Sequence, residues 1–86
     1  MPEKLTLNDG TVVTGHAQET DDRLFLYMYG LSLEEAFDIV KDPEKTIRIV
    51  EERFGEEVVH EGFGHLYTVT EERGGMVSAG LKRGGT

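Results

Sequence analysis

Eighty-six residues at 9.6 kDa allow a single domain and little else. Nine Lys and Arg stand against 17 Asp and Glu, a net charge of −8 with His neutral; such a chain repels phosphate, so direct nucleic-acid binding is not expected. Cys is absent, which excludes disulfides and thiolate metal sites, and no apolar run approaches the ~18 residues of a membrane span.

The first five residues, MPEKL, carry no long apolar stretch, so a secretory leader is not expected. A domain this small buries roughly 60–70% of its unfolded surface. That leaves little material for a deep enzyme cleft, since ligand pockets usually need about 300 Å3 or more.

Residues 4–7 alternate polar and apolar side chains and read as a strand. Asn8-Asp9-Gly10 is a turn, because Asn, Asp and Gly accept left-handed backbone. Residues 11–18 return as a second strand. Residues 24–29 form the most informative one: Leu24, Leu26 and Met28 point one way, Phe25, Tyr27 and Tyr29 the other. Both faces of that strand therefore avoid water.

Gly30 breaks the strand. Ser32 with Glu35 three residues on spells a capping box. Leu33, Ala36, Phe37 and Val40 make one helical stripe, so a helix is predicted near residues 32–41. Asp42-Pro43 ends it, and Pro43 can start one further turn.

Residues 46–52 read as a strand with Ile47 and Ile49 inward, 57–61 as a shorter strand, 65–70 and 76–82 as two more. Gly62-Phe63-Gly64 marks a bend and Arg73-Gly74-Gly75 a turn, and residues 83–86 a loose tail. The expectation is one α+β domain over residues 1–86. It has a mostly antiparallel, curled sheet of six to seven strands, meander-like or barrel-like, and one helix.

Catalytic chemistry finds no constellation. His60 and His65 are five apart, not the four of a helical zinc-protease motif, and two glycines lie between them. A bend could still gather His60, His65 and His16 as a metal or small-molecule site; half-exposed histidines are the plainer reading. Ser32 is a cap and Ser78 lies in a strand, so neither is placed as a nucleophile. No catalytic residue, metal or cofactor is assigned.

The acids Asp21, Asp22, Glu51, Glu52, Glu56, Glu57, Glu71 and Glu72 come in pairs at turns and on surfaces. Solvated surface explains them. A sharper reading is a nucleic-acid mimic that occupies the basic groove of a nucleic-acid-binding enzyme.

The aromatic side of residues 24–29 is the strongest lead. One helix covers one face of a sheet. Phe25, Tyr27 and Tyr29 then need either a closed barrel or a partner, and Phe63 and Tyr67 extend the same area. Self-association into a homo-oligomer and a foreign protein partner both meet that need.

Leu7-Asn8-Asp9-Gly10-Thr11, Asp42-Pro43-Glu44-Lys45-Thr46 with Ile49, Glu61-Gly62-Phe63 with Leu66 and Val69, and Val77-Ser78-Ala79-Gly80-Leu81 form a pattern over most of the chain. It resembles short uncharacterised proteins encoded by phages and prophages of gut Firmicutes. The resemblance implies a phage accessory or structural protein, or an inhibitor of host defence, in the cytoplasm of a bacterial host. It supplies no catalytic residues.

Overall fold

The computed structural model describes residues 3–55, 57 and 63–83. The chain runs β1 (Glu3–Thr6), β2 (Val12–Glu19), β3 (Arg23–Tyr29), α1 (Leu33–Val40), α2 (Pro43–Phe54), β4 (Phe63–Glu71) and β5 (Met76–Arg83). The strands form one sheet in the order β1-β2-β3-β5-β4, every neighbouring pair antiparallel. The architecture is therefore α+β, an antiparallel sheet with a helical layer.

Asn8-Asp9-Gly10 does reverse the chain between β1 and β2, with Gly10 at a φ of 92° and the Asp9 carboxylate accepting from the Thr11 N–H at 2.9 Å. Asn8 does something its turn propensity did not announce. Its Oδ1 accepts from the Arg48 N–H at 2.8 Å, and its own N–H donates to the Lys45 carbonyl at 3.0 Å. The hairpin is thereby clamped to α2.

Gly15 is the residue at which β2 passes from one neighbour to the other. It stands opposite Glu3 of β1 and opposite Met28 of β3. A β-carbon there would overlap the Tyr27 carbonyl oxygen and stand 2.9 Å from its carbon, so only glycine fits.

α1 begins with the expected capping box: the Glu35 N–H donates to Ser32 Oγ at 3.1 Å, and the Ser32 N–H donates to Glu35 Oε1 at 3.0 Å. Its buried residues are Ala36, Ile39 and Val40. Leu33 and Phe37, expected on the covered stripe, stay exposed.

The predicted strand at 46–52 is helical instead. Asp42 caps α2, accepting from the Glu44 N–H at 3.1 Å, and Pro43 occupies the first turn. The single extra turn foreseen after Pro43 continues to Phe54. Thr46, Ile49 and Val50 are buried at i, i+3 and i+4, so the β-branched residues serve a helical face.

That change also explains why the sheet stays open. With 46–52 in the helical layer, five strands remain among the described residues, and β1 and β4 are left as edges. Small closed barrels take about eight strands. In place of the expected six to seven strands and barrel-like curl, the described residues form a five-stranded open sheet with the helices α1 and α2. The predicted strand at 57–61 falls outside the described residues except for Glu57, which is helical. β5 inserts between β3 and β4, so the terminal strands do not follow in a simple meander.

One face of the sheet carries the core. Leu5, Val13, Leu24, Leu26, Met28, Val77, Ala79 and Leu81 pack with Ala36, Ile39, Val40, Ile49 and Val50 from the helices. Burying such side chains contributes roughly 1.5–3 kcal/mol each before conformational entropy is counted. No described helix is long and apolar enough to cross a membrane.

Candidate functional site: the open face of the sheet

Alternation along β3 sends Phe25, Tyr27 and Tyr29 away from the helices, and ladder registers decide what joins them. His16 of β2 stands opposite Tyr27, and the two rings stack at 4.8 Å with 22° between their planes. Phe25 lies 6.5 Å from Tyr27 on the other side, at 28°. The result is a series of three rings, His16–Tyr27–Phe25, all half-buried and uncovered by either helix.

Gly80 of β5 stands opposite Phe25 and is buried beneath its ring. An aromatic ring over a cross-strand glycine fills the space the missing side chain leaves and holds the ring flat on the sheet. Tyr29 lies beyond the series, 38% exposed, where it borders a groove of about 410 Å3 with Val12, Leu31 and Ile39.

The charge on this face is unlike that of the whole chain. Arg23 and Lys82 stand opposite each other at the Phe25 end, and Lys4 shares the same outward parity on β1. Like charges directly opposite in a ladder repel. No ion pair to an acid is recorded for Arg23 or Lys82 among the described residues, whereas Arg53 meets Glu19 at 3.7 Å and Lys41 meets Asp38 at 3.0 Å.

The other candidates separate. Tyr67 does not extend the open face: in register with Leu81 it points to the helix side, where its ring meets Phe37 edge-on at 5.6 Å and 68°. Strand parity is the reason, since Leu66, Thr68 and Thr70 take the outward positions on β4. Phe63 begins β4 ahead of a register irregularity, and its side chain is outside the described residues.

His16 is engaged with Tyr27. His60 lies outside the described residues, and β3 and β5 separate β2 from β4, which carries His65. Among the described residues no group of three or more His, Asp or Glu is arranged to hold a metal ion.

The acids divide as well. Asp21 and Asp22 follow β2, while Glu71 ends β4 and Glu72 follows it at the other end of the sheet, as the pairs Arg23–Lys82 and Tyr29–Met76 show. The seven residues of β3 between them span about 20 Å, more than twice the ~8 Å screening length at physiological salt. Glu51 and Glu52 lie on α2, and Glu57 is exposed; Glu56 lies outside the described residues. The Asp21-Asp22 and Glu71-Glu72 pairs therefore do not form one continuous row.

Sequence reasoning reached Phe25, Tyr27 and Tyr29 by alternation alone. It missed the ring role of His16, the glycine bed at Gly80 and the Arg23–Lys82 pair, because each depends on cross-strand register. No protein-family model, curated protein or solved structure matches the chain.

Proposed function

We propose that the protein is a non-enzymatic binding module whose open sheet face receives a segment of another protein. The observation behind this reading is the His16–Tyr27–Phe25 ring series, aligned on the side of the sheet away from both helices. Aromatic rings give large apolar contact with a polar handle, the composition of protein-binding surfaces. The neighbouring Arg23–Lys82 pair suits a carboxylate on that segment. In keeping with the resemblance to phage and prophage proteins, we propose a phage setting for this module, as an accessory or structural protein or an inhibitor of host defence.

The test is affinity capture from bacterial host lysate after nuclease treatment, using the wild type, Tyr27→Ser/Tyr29→Ser and Arg23→Glu. Far-ultraviolet circular dichroism checks that each variant is folded. A protein captured by the wild type and lost from both variants supports the reading. Capture unchanged in both variants, or material that vanishes on nuclease treatment, overturns it.

A further inference from the structure

The two edges of the sheet differ. β1 is four residues long and begins Glu3-Lys4, the short and charged form that discourages pairing with another chain. β4 is nine residues long, and its central run Leu66-Tyr67-Thr68-Val69-Thr70 holds no charge. Four of those five residues, Tyr67, Thr68, Val69 and Thr70, are aromatic or β-branched, the composition that favours strand pairing. Among the described strands, only β5 pairs with β4.

Apolar side chains flank this edge on both sides. Leu66 is 48% exposed on the open face. On the helix side, Leu33 is 43% and Phe37 44% exposed, and with Glu34, Tyr67 and Val69 they border a groove of about 560 Å3. These three are among five large apolar side chains left exposed in the described residues, so most of that exposure gathers at one edge.

We propose that a second copy of this chain pairs here, β4 antiparallel to β4 about a two-fold axis perpendicular to the sheet. The product is a continuous ten-stranded sheet, with α1 and α2 of both copies on one side and both ring series on the other. An uncharged edge lowers the electrostatic obstacle to a second copy. A chain of net charge −8 repels itself wherever acids face acids, whereas the 66–70 run carries no charge and Glu34 is the one acid bordering the groove among the described residues.

Two-fold symmetry also makes each flank its own complement. The second copy brings its Leu33 and Phe37 to the groove side and its Leu66 to the open side, covering both exposed sets in one contact. The 66–70 seam is about 17 Å long, a small contact beside interfaces that bury about 800 Å2 per partner, so the dimer is expected to be weak, dissociating at micromolar or higher concentration. This inference rests on β4 and α1 and stands apart from the ring series.

Sedimentation equilibrium across micromolar to millimolar concentrations tests it, on the wild type, Leu66→Glu/Phe37→Glu and Tyr27→Ser. Leu66 stands opposite Lys82, and Phe37 is one helical turn before Lys41, so both new carboxylates gain cations within their own chain. The wild type should rise from 9.6 kDa to twice that mass. The double variant should dimerise at least tenfold more weakly, and Tyr27→Ser should dimerise like the wild type. Thr70→Lys, at an exposed outward position of the seam, takes the place of the double variant if that variant is unfolded by circular dichroism. A wild type monomeric throughout, a folded edge variant that dimerises unchanged, or loss of the dimer in Tyr27→Ser overturns the proposal.

Discussion

The ring of Phe25 covers Gly80, its partner across the β3–β5 ladder: a β-carbon at Gly80 would stand 3.3 Å from Cε1 and 3.4 Å from Cδ1 of that ring, and 3.1 Å from Thr68 Oγ1. A buried glycine on the uncovered side of a sheet is thus explained by its aromatic roof. Gly80→Val would push Phe25 off the sheet and misalign it with Tyr27. Overpacking of this kind costs about 1–2 kcal/mol where a ring can still move. Urea denaturation should show that loss, with changed aromatic proton shifts for Phe25 and Tyr27. Unchanged shifts would mean the glycine does not seat the ring.

Gly15→Ala should be the more damaging change. Its β-carbon meets the backbone of Tyr27 and comes within 3.1 Å of the Met28 α-carbon, and backbone in a ladder cannot swing aside as a side chain can. The expected loss is about 3 kcal/mol or more. A large fraction of the stability of a domain this size would disappear. Thermal unfolding of the variant, compared with Gly80→Val, ranks the two; equal or smaller loss at Gly15 would show that β2 can shift without cost.

Asp9 sets a pH dependence at the acid end. The Thr11 N–H, donating to its carboxylate at 2.9 Å, holds its pKa below the ordinary aspartate value. A depressed folded-state pKa contributes stability above the ordinary value, and that contribution is lost as pH falls through the lowered one. Carboxyl NMR should give Asp9 a lower midpoint than in an unfolded peptide, with the Thr11 amide shift following the same titration. Lys41 runs oppositely: its hydrogen bond and ion pair with Asp38 raise its pKa, so its contribution is present below the ordinary lysine value and fades as pH rises through the raised one. A midpoint for Asp9 at the peptide value would show that the turn does not hold its carboxylate.

The elements legible in the sequence are those with local causes. Ser32 and Glu35 meet within one turn, so the start of α1 needed no tertiary information. Asp42-Pro43 carried the same kind of signal for α2. The β-branched run Thr46, Ile47, Ile49 and Val50 outweighed it and suggested a strand. The helical spacing of Thr46, Ile49 and Val50 resolves the conflict, because it matches the buried face presented to the sheet.

By itself the sequence determined that residues 24–29 have two water-avoiding sides, that a helix begins after Ser32, and that turns lie at Asn8-Asp9-Gly10 and Arg73-Gly74-Gly75. Those are properties of neighbouring residues. The tertiary structure alone decided that β5 lies beside β3, that His16 stacks on Tyr27 while Tyr67 turns to the helices, and that β4 is an edge. Register is the reason: strand parity reverses with a one-residue slip, and pairing between distant segments is set by how the whole core closes.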